Sequence, residues 1–403
     1  MKIVHITTSI KGGAGRAAFR LHQGLLSLGV DSVFLTLENE VLDQKCYSFL
    51  PFHKKQFRSI VLSFISWLKI IRPLERRQIK MLRRMAGQYE LFSFPETSYR
   101  VERHPLVLNA DIVHLHWVSG FINYPTFFKA IKQPIVWTLH DMNPMLGGFH
   151  YHEDSLNNSN FKQLESACLA IKTEALRCKS NMQLVTPSKW MSEEAKSRDV
   201  LSSFSQKTLL NGLDTDIYKP LDREKCRTEL NIPLDKKVLL FVAEDLKNRR
   251  KGFDLLWGAL ELLNDNSSVE LVTIGNASAF KGDGCIHLGM IGDDAKLAKV
   301  YAAADLFLLP SREDNLPNVM LEALCCGTPV VSFALGGMKD VIDHGRNGYL
   351  APEVNSASLG STINEFLTNG VALKRDEIAS VARRMFALER QATHYLKLYQ
   401  DLG

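Results

Sequence analysis

Short apolar runs alternate with amphipathic stretches along this chain in two successive series, and that alternation constrains the fold more than any other feature. KIVHIT (2–7) reads as a buried strand, followed by a glycine-rich turn and a helix from about Ala14 to Leu28. Leu21, Leu25 and Leu28 recur at helical spacing, and Gly29 is the stop. A strand over Val33 to Leu37 completes a βαβ unit, and DIVHLHW (111–117), PIVWTLH (134–140) and MQLVTPS (182–188) continue the pattern. The turn-rich stretch from Asn211 to Pro220 interrupts it. A second series then runs through VLLFVA (238–243), VELVTIG (269–275), DLFLLPS (305–311) and PVVSFA (329–334). The expectation is an α/β protein of two Rossmann-like parallel-sheet domains facing a cleft, with ligands at the carboxyl ends of the strands. The boundaries expected are 1–212, 213–385 and a C-terminal helix over 386–403 that packs back toward the first domain.

At 403 residues the chain exceeds what one core of roughly 150–200 residues organises. The composition is 45% hydrophobic and 23% charged, as in ordinary globular proteins. A net charge of +5 is too mild to imply nucleic acid. The seven cysteines are scattered without zinc-site spacing, which reads as reduced thiols in a cytoplasmic protein. The apolar run after Lys2 is too short for a signal peptide, and no stretch reaches the roughly 18–20 apolar residues of a membrane span.

One region departs from the α/β pattern. Between His53 and Arg84, ten Lys and Arg residues face a single acid, Glu75, while Ile60, Phe64, Trp67, Ile71 and Leu74 recur at three and four. Pro73 is expected to divide this stretch into two helices. A basic amphipathic segment of this kind suits either the surface of an anionic membrane or a helical insertion packed on its own domain.

Most chemically suggestive residues follow directly on a predicted strand. Gly12-Gly13-Ala14-Gly15-Arg16-Ala17-Ala18 contains a G-x-G-x-x-A string after the first strand. Alone it admits a dinucleotide site, a different anion or hydroxyl-rich ligand at a helix N-terminus, or a tight turn. The acid a dinucleotide site needs at the next strand's end has only Glu38 as candidate. Thr138-Leu139-His140-Asp141 ends a strand and leads into a loop with Gly147-Gly148, so His140 outranks His5 and His114, which read as core histidines. Arg249-Arg250-Lys251-Gly252 precedes an amphipathic helix and can grip a diphosphate leaving group. In PSREDNLPNVMLEALCCGTPVV (310–331) a strand gives way to a loop bearing Asp314, then to a helix beginning near Asn318 and carrying Glu322. Carboxylates so placed can accept hydrogen bonds from separate hydroxyls of one ligand, while the helix N-terminus offers N–H groups to phosphate. Gly336-Gly337 follows the next strand.

These stretches, with TPSKWM (186–191), NGLDTDIYKP (211–220), RKGFDLL (250–256), YAAADLFLLPS (301–311) and GGMKDVI (336–342), closely resemble glycosyltransferase family 4, retaining enzymes of the GT-B fold. The similarity extends over essentially the whole chain and is greatest to bacterial members that build capsular, lipopolysaccharide and exopolysaccharide repeats. The resemblance implies transfer of a hexose-type sugar from a UDP-, GDP- or dTDP-sugar to a saccharide or lipid-linked saccharide acceptor at the inner face of the cytoplasmic membrane. It assigns His140 to the transferred sugar, Lys251 with Arg250 to the diphosphate, Asp314 to sugar hydroxyls and Glu322 to the ribose. Gly13 would open room for the donor, Asn318 and Val319 would offer backbone N–H groups, and Gly12 and Asp141 would lie on the acceptor side. Asp314 stands where relatives carry the longer Glu, and Glu244-Asp245 where many carry an arginine, with Arg249 or Arg250 as substitute. No cofactor or metal is expected, since Asp214-Thr215-Asp216 lies in the linker rather than at a strand end. A non-catalytic partner subunit and an NAD-dependent oxidoreductase are the competing readings.

Overall fold

The computed structural model describes residues 1–37, 45–50, 73–177, 179–265, 267–276, 284–370 and 373–402. Glu38 and most of the basic stretch, including Ile60, Phe64, Trp67 and Ile71, lie outside them. The chain divides into two compact units. The first comprises residues 1–187, 191–209 and 392–403, the second 188–190 and 210–391.

The first unit holds a seven-stranded parallel sheet of β1 (Lys2–Thr7), β2 (Asp31–Thr36), β3 (Cys46–Ser48), β4 (Ile112–Leu115), β5 (Ile135–Thr138), β6 (Met182–Thr186) and β7 (Ser205–Thr208). Its order is β3-β2-β1-β4-β5-β6-β7, so the winding reverses between β1 and β4. Strands β1, β4 and β5 are almost wholly buried, because helices cover both faces of a parallel sheet. In register, His5 of β1 stands beside His114 of β4, which stands beside Val136 of β5. The C-terminal segment contributes Ala392, Tyr395, Leu398 and Tyr399 to the cluster formed with Ile3, Leu21, Ile112 and Val136.

The first helix differs from the expectation. It spans Gly12–Ser27, so the glycines are its first turn rather than a loop before it. Gly15 explains this: a Cβ there would lie 2.2 Å from the Ser9 carbonyl oxygen, so only glycine lets the helix start so close to the strand that feeds it. Leu28 is its C-cap, and Gly29 follows with φ +74°. The described part of the basic stretch includes the helix Pro73–Leu82, which starts at the proline that was expected to mark a break. Glu75 accepts hydrogen bonds from the Ser98 amide and hydroxyl at 2.7 Å, which ties this helix to its own unit.

The second unit repeats the plan with six parallel strands: β8 (Lys237–Asp245), β9 (Val269–Asn276), β10 (Cys285–His287), β11 (Leu306–Leu309), β12 (Val330–Phe333) and β13 (Gly348–Ala351). Their order, β10-β9-β8-β11-β12-β13, reverses between β8 and β11. Apolar clusters fill both faces, one around Leu240, Tyr301, Phe307, Met320 and Leu324, the other around Leu239, Phe241, Leu256, Leu308 and Phe366. Among the described residues no helix is long and apolar enough to cross a membrane.

Candidate active site

In the second unit, the loop between β11 and the helix Asn318–Cys325 is shaped by backbone approaches that only glycine allows. Gly252, at φ +71°, faces Pro310 so closely that a Cβ would sit 1.9 Å from its carbonyl oxygen. Gly336, at φ +54°, bears the same relation to the Asp314 carbonyl at 2.1 Å, and Gly337 to that of Asn315. Arg312 closes the other side. It donates twice to Asp254, at 2.8 and 2.6 Å, and once to the Arg249 carbonyl. Ser188 donates to the Asn315 side chain at 2.6 Å.

This packing brings Lys251, Arg250 and Asp314 together across 63 residues of sequence. Lys251 Nζ lies 2.6 Å and Arg250 Nη1 3.2 Å from Asp314 Oδ2. Burial alone would raise the Asp314 pKa, but the two cations and the hydrogen bond from Lys251 outweigh it and hold the carboxyl below its ordinary value. Two cations thus share one oxygen of the Asp314 carboxylate. Asn248 positions the turn by accepting from the Arg250 amide, and Arg249 stays exposed, so the structure separates the two arginines. Asp245 caps the same turn by accepting from the Lys247 amide.

The helix Asn318–Cys325 starts at Pro317 with no side-chain cap, which leaves its positive end for an anion. Asn318 accepts from Asn211 at 3.3 Å, and Val319 is half-buried beside it. Glu322, one turn on, is only 2% exposed and accepts from the Tyr301 hydroxyl at 3.0 Å. Burial first, and the Glu322 charge second, push the Tyr301 hydroxyl well above its ordinary pKa, so it stays a donor. Asp214, of the D-x-D string, spends Oδ1 on the amides of Asp216 and Ile217.

The remaining sequence candidates belong to the first unit. Gly12 and Gly13 are exposed at the N-terminus of the helix after β1. His140 is half-buried just beyond β5, with Nε2 3.2 Å from His116 Nδ1. Burial lowers its pKa to about 4 despite the neighbouring Asp141 charge, so the ring is neutral at pH 7. Asp141 is 7% exposed and engaged by its own surroundings. Oδ2 accepts from His150 at 2.6 Å and from the Trp117 indole at 2.7 Å, and Oδ1 from the Asn143 amide at 3.0 Å. These bonds and the His150 charge overcome its desolvation and keep its pKa low. Asp141 thus anchors the loop that carries His140.

Sequence reasoning missed Lys172, which is wholly buried and donates to the Asn143 carbonyl and, at 2.8 Å, to that of Leu146. Burial pulls its pKa down to about 8. Arg312, Tyr301 and His116 were missed as well. A lysine inside an otherwise amphipathic helical stretch was the one available signal for Lys172.

Residues 236–369 match the family model described as Glycosyl transferases group 1. The chain is 25% identical over 316 residues to a D-inositol 3-phosphate glycosyltransferase of Corynebacterium jeikeium, covering 72% of each chain. Its fold matches that of a sucrose-phosphate synthase from Thermosynechococcus elongatus with a TM-score of 0.71 at 18% identity, over 100% of this chain and 99% of that one. It also matches HepE of Anabaena, solved in complex with UDP and glucose, with a TM-score of 0.66 at 18% identity over 99% of both chains.

Proposed function

Because the chain is a glycosyltransferase of the GT-B type, we propose that it transfers a hexose-type sugar, with retention, from a nucleotide-sugar donor to a saccharide acceptor. One observation carries the reading. The part-buried cations Arg250 and Lys251 meet Asp314, whose loop leads into a helix N-terminus without a side-chain cap, followed by a buried carboxylate. Such a set suits a nucleoside diphosphate joined to a polyol: cations for the diphosphate, acids for hydroxyls. That HepE was solved with UDP and glucose supports the same class of donor.

In this proposal Lys251 and Arg250 hold the diphosphate, backbone N–H groups of Asn318 and Val319 receive a phosphate oxygen, and Glu322 binds the ribose. Asp314 binds sugar hydroxyls, and the sequence resemblance alone adds Gly13 as room for the donor and His140 as a partner of the transferred sugar. The bond between the anomeric carbon and the β-phosphate oxygen breaks as the acceptor oxygen attacks the same face. The acceptor's proton passes to the departing phosphate oxygen, so no protein nucleophile is needed. Asp314, already committed to two cations, is a poor nucleophile. The charge a metal would neutralise is met here by Lys251 and Arg250, so turnover is expected to survive chelation. We place the acceptor among surface-polysaccharide intermediates, saccharide or lipid-linked, on the sequence resemblance, with contact to an anionic membrane through the basic 53–84 stretch.

Nucleotide release from a panel of UDP-, GDP- and dTDP-sugars, with and without saccharide acceptors and EDTA, tests the reading. At least one donor should turn over, acceptor-dependently and with EDTA present. Nucleotide binding without turnover on any donor would favour a non-catalytic subunit, and a nicotinamide absorbance change would favour an oxidoreductase.

A further inference from the structure

The first unit buries a group of histidines close to His140. His5 and His114 are 0% exposed and His116 3%. His5 Nδ1 lies 2.9 Å from His116 Nε2, and His116 Nδ1 lies 3.2 Å from His140 Nε2. The three rings form a continuous hydrogen-bonded chain from the middle of β1, past the end of β4, to the second residue after β5. His5, His114 and His116 also bring three nitrogens within 4.8 Å of one another, a spacing compatible with a metal. Both nitrogens of His114 and of His116 are otherwise committed, however. His114 uses Nδ1 on the Tyr399 hydroxyl at 2.6 Å and Nε2 on the Thr138 hydroxyl at 2.8 Å, while both nitrogens of His116 are in the chain.

Burial drives the pKa values of His5, His114 and His116 well below the ordinary histidine range, so each ring is neutral and carries one proton. A neutral ring in the middle of such a chain donates at one nitrogen and accepts at the other, so both bonds run in the same direction. The far end decides which. His5 Nε2 is buried and has no hydrogen-bond partner among the described residues. If the bonds ran from His140 inward, that atom would be a buried N–H without an acceptor. If they run outward, it is only a bare lone pair. Orphaned buried N–H groups are the rarer and costlier of the two.

We propose that His5 and His116 are positioning residues that fix the tautomer of His140: His5 donates to His116, His116 donates to His140 Nε2, and His140 carries its only proton on Nδ1. His140 then works as a neutral hydrogen-bond donor through Nδ1 and cannot act as a base through Nε2. Such a donor suits an oxygen of the transferred sugar, and it leaves the acceptor's proton to the departing phosphate. The tautomer assignment stands on the first unit alone, while its kinetic consequence rests on the proposed function.

Long-range proton–nitrogen correlation NMR of imidazole-labelled protein reads each tautomer directly, with His140 assigned by His140→Asn. The expected result is Nδ1–H for His5, His116 and His140 in the wild-type protein. His116→Leu removes the donor, so His140 should move toward Nε2–H and kcat should fall on the order of 10- to 100-fold with donor KM little changed. His116→Asn, whose amide places an N–H2 near the lost Nδ1, should restore the Nδ1–H form and most of kcat. Nε2–H at His140 in the wild-type protein, a stoichiometric metal bound to the three histidines, or a His140 spectrum unaltered by His116→Leu would overturn the proposal. These spectra do not need turnover, so a donor panel that fails would sink the functional reading and leave the tautomer result standing.

Discussion

Replacing Lys251 with methionine keeps most of the side chain's length and removes one positive charge 2.6 Å from Asp314. The consequence can be sized from the site. A cation about 4 Å from a phosphate oxygen, at an effective dielectric of ~20, contributes about 4 kcal/mol of attraction. Lys251 shares its charge with Asp314 and keeps some contact with solvent, which reduces this to about 2–3 kcal/mol for the charge that develops as the glycosyl bond breaks. That corresponds to a loss on the order of 100-fold in kcat. Arg250 remains 3.2 Å from Asp314, so the loop should keep its form and the thermal midpoint should change little. Steady-state nucleotide release by Lys251→Met, with circular dichroism melting as the control for folding, gives both numbers. A folded variant with kcat within about twofold of wild type would remove Lys251 from the leaving-group site and with it the main support for the donor reading. Lys251→Arg, which restores charge with different geometry, should fall between the two.

Other outcomes follow from neighbouring residues. Glu322→Gln keeps the volume but removes the charge proposed to bind the ribose, so donor KM should rise about tenfold with kcat less affected; unaltered donor affinity in a titration would count against that role. Lys172→Met leaves the Asn143 and Leu146 carbonyls without their donor, which should cost about 2–3 kcal/mol in urea unfolding; an unchanged midpoint would show that the lysine does not hold the loop. Gly252→Ala forces a side chain into φ +71° against the Pro310 carbonyl and should destabilise by more than about 1 kcal/mol, read from the same titration. Because the Asp314 pKa is depressed in the folded protein, its stabilising contribution is complete above its unfolded value of 3.8 and is lost as pH falls through the lower folded value. Asp314→Asn should therefore flatten part of the stability decline below about pH 4, and an identical acid limb in both proteins would contradict the ion-pair account.

The strands at the centre of each sheet were legible because both their faces are buried, which makes them uninterrupted apolar runs. The edge strands were not. β7 reads SQKT and is largely solvated, β3 and β10 are three residues long, and β13 begins at a glycine. Hydrophobic pattern carries no signal for such strands, whose existence depends on the neighbour they pair with. At the site, residue types and their place after strands pointed to Lys251, Asp314 and Glu322, but not to the ion pair between the first two, which depends on loops meeting across 63 positions. Gly252, Gly336 and Gly337 prove to be what allows that meeting. His114, read as a satisfied core histidine, is one, with both nitrogens on hydroxyls. His5, read the same way, has a nitrogen without a partner among the described residues and a chain leading to His140, which no spacing in the sequence announces because its links come from β1 and from the ends of two other strands.

The proposed donor site is tested most directly by equilibrium titration of UDP, GDP and dTDP into the wild-type protein, Lys251→Met and Glu322→Gln, without acceptor. Saturable binding of at least one nucleotide to the wild type, weakened about tenfold or more in each variant, is the predicted result. Binding to none of the three, or equal affinity in all three proteins, would contradict a nucleotide-sugar site built on Lys251, Asp314 and Glu322.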